Sequence, residues 1–335
     1  MSQIAVMGAG AWGTAIALSL AQRGGHRITL WSYSEELAAA IRNRRENVAF
    51  LSGFPLPADM EITSDPQLAL RGTEIVVGVM PSEFARVTWQ QLAPHLQPGQ
   101  ILVSATKGIE DETFLRVSEV IGQVLAPRGL SLACGVLSGP SFATEVASGF
   151  PTAITIAMAD SLLASRVQRE FSSQSLRLYT NDDIIGVELG GSLKNVIAIS
   201  SGVVAGLGLG YNSAAALITR GIAEITRLAV ACGGRRETLA GLSGLGDLVL
   251  TCTGSLSRNR LVGMELGKGR ALPDILAGLE GQVAEGVRTT GAALGLARRM
   301  GVEMPITEQM DAILHRGKAP IDAMRELMAR PGRDE

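Results

Sequence analysis

Short, uninterrupted apolar runs recur through the first half of the chain, at Ile4–Met7, Ile28–Trp31, Ile75–Met80, Ile101–Ala105 and Leu132–Leu137, each closing near Gly, Ser or Pro. A strand that is apolar at every residue is buried on both faces. The stretches between these runs have helical periodicity and supply the cover, so the pattern predicts a parallel α/β sheet. Thr152–Ala157 and Leu176–Tyr179 read as further strands, with Ser161–Phe171 between them as a helix. Beyond about Asp183 the texture changes to long helical patterns punctuated by glycine: Val187–Gly202, Ser213–Cys232, Arg235–Thr251 and Gly286–Met300. The expected organisation is an α/β domain over residues 1–185 and a mainly helical domain over 186–330, with Arg330–Glu335 as a frayed tail.

The length of 335 residues agrees with two domains, since one core rarely grows past about 250–300 residues. Hydrophobic residues at 46% and charged residues at 19% exclude disorder. The 30 basic and 32 acidic residues leave a net charge of -2, which argues against general nucleic-acid binding. Cys134, Cys232 and Cys252 are odd in number and widely spaced. They suit neither a disulfide framework nor a zinc site, so no metal and a reducing, cytoplasmic compartment are expected. Met1-Ser2-Gln3 lacks the basic region of a signal peptide. Asn195–Thr219, 25 residues without a charge, invites a membrane reading. Its Ser200, Ser201, Asn212, Ser213 and four glycines make a buried central helix the better expectation, with no membrane span. The 40 glycines exceed the usual share of about 7%, so the fold must repeatedly bring backbones close together.

Gly8-Ala9-Gly10-Ala11-Trp12-Gly13 reads G-x-G-x-x-G, follows the first strand and opens the apolar helix Thr14–Arg23. In that setting the first glycine allows a tight turn and the second lets a pyrophosphate reach the backbone. The third brings helix and strand together, and the helix N-terminus faces the phosphates. The bland alternative is a packing turn with no ligand. The acidic residue that would grip a ribose 2′-hydroxyl is missing, since Leu30-Trp31-Ser32-Tyr33-Ser34 carries no carboxylate before Glu35. A 2′-phosphate is therefore not repelled, although no arginine ends the strand and Arg45 is only a distant candidate. NAD and NADP are both expected, with NADPH preferred.

A second set of polar residues lies away from this loop. Lys107 and the segment Ser138-Gly139-Pro140-Ser141 each follow a strand, at the sheet edge where open α/β folds bind ligands. A solvated lysine and a plain turn are the alternatives. Lys194 stands at the head of the uncharged helix, where desolvation would tune an acid–base group and a snorkelling helix-end lysine is the alternative. Asp247 and Thr251, four residues apart, share a helix face and make Asp247 the natural partner of Lys194, unless Asp247 only caps a helix. Ser257-Arg258-Asn259 sets a hydroxyl, a guanidinium and an amide side by side, suited to a phosphate or carboxylate or to an ordinary surface loop.

Together Gly8–Gly13, Ala105–Gly108, Leu137–Glu145, Glu188–Asn195, Leu242–Thr251 and Ser257–Asn259 resemble, in order, the bacterial NAD(P)-dependent sn-glycerol-3-phosphate dehydrogenases. The resemblance implies a Rossmann-type doubly wound sheet followed by an all-helical domain like the C-terminal domain of 6-phosphogluconate dehydrogenase, usually in a homodimer. It implies an oxidoreductase acting on a CH–OH group, reversibly reducing dihydroxyacetone phosphate for glycerophospholipid synthesis. By position, Lys194 would be the proton donor, with Asp247 and Thr251 orienting it. Lys107, Gly139, Ser141, Lys194, Asp247, Ser257, Arg258 and Asn259 would surround the substrate. Gly8, Gly10, Ala11, Trp12, Gly13, Tyr33, Phe50, Lys107, Ala143, Arg258, Val283 and Glu285 would meet the cofactor. Ala11 stands where many members have Ser, Ser32-Tyr33 where many have a basic residue, and Phe50 where Tyr is usual. A related β-hydroxyacid or ketopantoate-type dehydrogenase and a non-catalytic dinucleotide-sensing protein are the rival readings.

Overall fold

The computed structural model describes residues 2–279 and 283–332. The chain divides into two compact units, Met1–Lys107 with Arg116–Val187 and Gly108–Leu115 with Glu188–Glu335. Among the described residues the first unit carries ten strands. β1 (Ser2–Met7), β2 (His26–Trp31), β5 (Glu61–Thr63), β6 (Ile75–Gly78), β7 (Ile101–Ser104), β8 (Ala133–Ser138), β9 (Thr152–Ala157) and β10 (Leu176–Asn181) form one sheet. Its order is β10-β9-β8-β7-β6-β1-β2-β5. The two remaining strands, β3 (Glu46–Asn47) and β4 (Leu51–Pro55), make a separate antiparallel pair that the hydropathy pattern does not announce. Read from β5 to β8, the large sheet has the six-strand order of a dinucleotide-binding fold. The chain leaves β1 for β2 on one side and returns to β6 on the other, which makes β1/β6 the topological switch point.

The apolar runs form strands because both faces are covered: Ile4, Ala5, Val6 and Met7 are fully buried, as are Ile75, Val76 and Val77. Helices fall where caps and periodicity place them. Asp160 accepts hydrogen bonds from Leu162 N and Leu163 N to open helix Ser161–Phe171, which then buries Ala164, Val167 and Phe171. One expectation needs correction: the sheet is not parallel throughout. β8 and β9 pair antiparallel, with Val136 opposite Ala157, and β10 runs parallel to β9. The return from β8 crosses residues 139–151 with only the five-residue helix Ala143–Ala147, too little for a covering crossover of the kind parallel neighbours need.

The second unit is helical. Its centre is helix Ile184–Gly206, which begins in the first unit's last residues and is followed by Gly210–Ala231, Arg258–Gly267, Glu285–Met300, Pro305–Arg316 and Pro320–Met328. The uncharged stretch over 195–219 is therefore two helices, broken where Gly208 and Gly210 take positive φ. Among the described residues no single helix is long and apolar enough to cross a membrane. The expected helix Arg235–Thr251 is also broken, into Arg236–Leu239, a widened turn at Leu242–Gly246, and Asp247–Thr253. Within that turn a Cβ on Gly244 would stand 2.1 Å from the Leu239 carbonyl oxygen, so this backbone admits no side chain there. Of the expected tail, residues 333–335 lie outside the described residues.

Candidate active site

At the carboxyl end of β1 the glycine loop is built by contact. Gly8 has φ +136, and a Cβ on it would sit 1.8 Å from the Val79 carbonyl oxygen just past β6. A Cβ on Gly13 would sit 1.8 Å from the Gly8 carbonyl oxygen. These two glycines are demanded by the fold. Gly10 is different, because its Cβ would meet nothing within 4 Å and its backbone, at φ -75 and ψ -178, suits any residue. A glycine that the protein itself does not require, at the head of a helix with no side-chain cap and no acidic first-turn residue, leaves room for a phosphate against the backbone. The loop fits a dinucleotide pyrophosphate. Ala11 and Trp12 begin that helix, and the half-buried Trp12 has an indole Nε1 with no partner in the protein. Asn47, missed by sequence reasoning, pins the loop: its Nδ2 donates to Ala9 O and Thr14 Oγ1, each at 2.8 Å, from a fully buried position.

Around the same sheet edge, Lys107 follows β7 and donates from Nζ to Gly139 O at 3.2 Å, while Ser141 Oγ donates to the same carbonyl at 3.0 Å. The structure thus gathers Lys107, Gly139 and Ser141, with Ala143 at the start of the short helix that follows. Tyr33, past the end of β2, is exposed and meets Trp31 edge-on at 6.3 Å. Phe50, exposed, lies at the turn before β4. Arg45, the distant candidate for a 2′-phosphate, has its guanidinium committed to the carbonyl oxygens of Pro57 and Met60. Glu35, the first carboxylate after β2, is paired with Arg42 and accepts from Ser64; these hydrogen bonds hold its pKa below the usual range.

In the helical unit, Lys194 lies within the long helix and not at its head, and it is only 6% exposed. That removes the snorkelling alternative. Its Nζ donates to Asp247 Oδ1 and to Thr251 Oγ1, both at 2.6 Å. Thr251 Oγ1 in turn donates to the Asp247 carbonyl oxygen at 2.6 Å, so one helical turn presents both acceptors. An ammonium held this way is oriented and desolvated, which is the setting of a proton donor rather than of a surface charge. The neighbouring thiol of Cys252 is pushed up to about 12, chiefly by burial, so it stays protonated beside the pair. Ser192, also unforeseen, accepts from Gly108 N at 2.8 Å and donates to the Gly108 and Glu188 carbonyls, tying the segment Gly108–Leu115 to this helix.

The trio at 257–259 separates into three roles. Ser257 caps helix Arg258–Gly267 by accepting from Arg260 N. Asn259 is buried, donates Nδ2 to Asn195 Oδ1 at 3.1 Å and accepts from Gly286 N at 2.9 Å. Arg258 alone keeps its side chain accessible. Partial desolvation by its surroundings lowers its pKa, and the carboxylate of Glu285 opposes that shift. Glu285 opens helix Glu285–Met300, directly after the half-buried Val283. Among the described residues no three His, Cys, Asp or Glu side chains gather into a set that could hold a metal ion.

Comparison with known proteins places this geometry. Residues 3–164 match the family described as NAD-dependent glycerol-3-phosphate dehydrogenase N-terminus, and residues 183–325 its C-terminus. The chain is 62% identical to a glycerol-3-phosphate dehydrogenase [NAD(P)+] of Acidobacterium capsulatum, with all of both chains covered. It is 60% identical to that of Koribacter versatilis, covering 100% of this chain and 99% of the relative. Among solved structures, the glycerol-3-phosphate dehydrogenase of Coxiella burnetii superposes with a TM-score of 0.93 at 39% identity, over 98% of this chain and 99% of that one.

Proposed function

This chain belongs to the NAD(P)-dependent glycerol-3-phosphate dehydrogenase family, and from that premise we propose that it interconverts dihydroxyacetone phosphate and sn-glycerol 3-phosphate with Lys194 as the proton-transferring group. The observation that carries the reading is the buried Lys194–Asp247–Thr251 cluster, in a chain whose other unit has a dinucleotide loop. A dinucleotide-sensing protein needs no such acid–base pair, which counts against that reading.

Gly8, Gly10, Ala11, Trp12 and Gly13 would hold the dinucleotide, with Tyr33, Phe50, Ala143, Val283 and Glu285 also facing it and Lys107 and Arg258 shared with the substrate. When bound, the nicotinamide supplies or accepts a hydride at C4. Lys194 meets the charge that grows on the carbonyl oxygen and donates a proton there; in the oxidative direction it takes that proton back. Asp247 keeps the ammonium charged and aimed, and Thr251 fixes its second direction. Arg258 grips the phosphate as a fork, and Asn259 acts behind it through Asn195 and Gly286. Lys107, Gly139, Ser141 and Ser257 complete the substrate's surroundings. Residues 1–185 are assigned to nucleotide binding and 186–330 to substrate and catalysis.

Use of both cofactors, with NADPH preferred, rests on the lack of a carboxylate at Ser32-Tyr33 and on the neutralisation of Glu35 by Arg42. A cytoplasmic homodimer that supplies the glycerol backbone of phospholipids is what the family resemblance implies, and three cysteines outside any disulfide and a near-neutral charge support a reducing compartment and no nucleic-acid partner. The test is the oxidation of NADPH or NADH, followed by absorbance, on adding dihydroxyacetone phosphate to the purified protein. Turnover is expected, with Lys194→Ala removing nearly all of it while leaving dinucleotide affinity intact. Equal turnover of a 2-keto acid without phosphate would instead favour the β-hydroxyacid or ketopantoate reading.

A further inference from the structure

Helix Ile184–Gly206, which carries Lys194, and helix Arg258–Gly267, which begins with the anion-gripping arginine, touch through bare backbone. Gly202 and Gly206 are four apart on the first, and Gly263 and Gly267 are four apart on the second, so each pair lines one helix face. A Cβ on Gly263 would lie 1.9 Å from Ile199 O, and one on Gly202 would lie 2.1 Å from Arg260 O. At Gly206 the nearest atom would be Met264 O at 2.3 Å, and at Gly267 it would be Val203 O at 2.7 Å. Ordinary Cβ contacts begin at 3.4 Å, so no side chain fits at this crossing. A second contact depends on the same spacing: Asn259 reaches Asn195, the residue after Lys194, at 3.1 Å.

We propose that this glycine crossing is a ruler that fixes the distance between the Lys194 amine and the Arg258 guanidinium, and thereby sets selectivity for a substrate whose carbonyl and phosphate are that far apart. The proposal rests on the assignment of Arg258 to the phosphate made above. The four glycines are positioning residues that act through helix Arg258–Gly267. Lys194 lies eight residues from Gly202, about 12 Å along its helix at about 1.5 Å per residue. A shift at the crossing therefore moves the anion grip, whereas the amine stays held by Asp247 and Thr251, which lie outside helix Arg258–Gly267. Replacing Gly263 by Ala demands a displacement of roughly 1.5 Å, from 1.9 Å to an ordinary 3.4 Å. A misplacement of about 1 Å can cost about 100-fold in rate.

The experiment is a graded series, Gly267→Ala, Gly206→Ala, Gly202→Ala and Gly263→Ala, with Gly291→Ala as control because a Cβ there meets nothing within 4 Å. Each full-length variant is assayed with dihydroxyacetone phosphate and with dihydroxyacetone, which has the carbonyl but not the phosphate. The expected result is a progressive fall in kcat/KM for the phosphorylated substrate, reaching about 100-fold at Gly263→Ala. It should appear first in KM, while the value for dihydroxyacetone changes far less. The ratio of the two is independent of the fraction of enzyme that folds, and Gly267→Ala, the mildest change, keeps the series informative if Gly263→Ala is unstable. A constant ratio across the series overturns the ruler. A wild-type enzyme that does not prefer the phosphorylated substrate overturns instead the assignment of Arg258 on which it rests.

Discussion

Asp247→Asn is the sharpest perturbation of the catalytic cluster. It keeps the size of the side chain and an oxygen that can accept from Lys194, and it removes only the charge. The two charges stand 2.6 Å apart, with Asp247 1% and Lys194 6% exposed. At an effective dielectric of about 20 their gross attraction is about 6 kcal/mol, and breaking a buried pair by removing one partner typically costs about 3–5 kcal/mol. The Cys252 thiol beside the pair, pushed up to about 12, carries no charge at working pH and so does not take the carboxylate's place. Urea unfolding should therefore show Asp247→Asn less stable by about 3–5 kcal/mol.

The kinetic consequence has a definite sign. In the proposed mechanism reduction needs Lys194 protonated, and loss of the carboxylate would make the ammonium easier to deprotonate. The alkaline limb of kcat for dihydroxyacetone phosphate reduction should move to lower pH, with kcat reduced by about 100-fold to 10,000-fold at the wild-type optimum. Dinucleotide affinity should be unchanged, since neither Asp247 nor Lys194 is among the residues proposed to hold the dinucleotide. A variant that unfolds at the wild-type urea concentration and keeps both the wild-type kcat and alkaline limb would refute the reasoning, because the pair would then be neither buried in effect nor connected to proton transfer.

Arg258→Ala should raise the KM for dihydroxyacetone phosphate by at least about tenfold, from loss of a charge-assisted fork, with a smaller change in kcat; an unchanged KM would remove Arg258 from the anion site. Gly10→Ala should leave unfolding within about 0.5 kcal/mol of wild type while weakening NADPH and NADH binding by at least about tenfold, measured by fluorescence titration. Gly13→Ala, whose Cβ would strike the Gly8 carbonyl at 1.8 Å, should instead destabilise the protein. Glu224 is a buried carboxylate that accepts from Ile306 N, Thr307 N and Thr307 Oγ1; burial is the largest influence on it and raises its pKa. Its contribution to stability is complete below the unfolded value of about 4.3 and is lost as pH rises through the higher folded value. The advantage of wild type over Glu224→Gln in unfolding free energy should accordingly shrink as pH rises above about 4.3, and an advantage that is constant or grows with pH would contradict it.

Seven of the sheet's eight strands were legible because a residue buried on both faces has to be apolar, and that constraint is written residue by residue. The three-residue edge strand β5, with its Glu61 and Thr63, left no apolar run to read. Strand direction is not written in this way: Thr152–Ala157 would read the same parallel or antiparallel, and only the short return over residues 139–151 decides it. Lys194 and Asp247 were legible because a charge inside an apolar pattern is costly without a partner, and the spacing of Asp247 and Thr251 supplied two acceptors at once. Ser257-Arg258-Asn259 was legible as a polar cluster but not as three separate roles. Which side chain turns inward depends on where the helix starts, and a start at Arg258 makes Ser257 the cap and commits Asn259 to Asn195 and Gly286. Asn47 left no trace in the pattern, since a buried amide in a two-residue strand is indistinguishable from a loop residue until the carbonyl of Ala9 is seen beside it.

The surplus of glycine had predicted close backbone approaches without saying where they would be, and the two main sets divide along the two tasks of the enzyme. In the first unit, Gly8 and Gly13 bring strand and helix together, which in the proposed reading lets the backbone at Gly10 face a phosphate. In the helical unit, Gly202, Gly206, Gly263 and Gly267 bring two helices together, so that an amine on one and a guanidinium near the start of the other keep one spacing. Among these glycines Gly10 is the one for which the protein makes no steric demand, and the proposed reading gives it to the ligand. At the other positions the backbone contact is the constraint and the ligand benefits from it. An alanine at Gly10 and an alanine at Gly263 should therefore fail in opposite ways. The first loses dinucleotide affinity with the fold intact; the second loses discrimination for phosphate through Arg258, with the glycine loop of the first unit untouched.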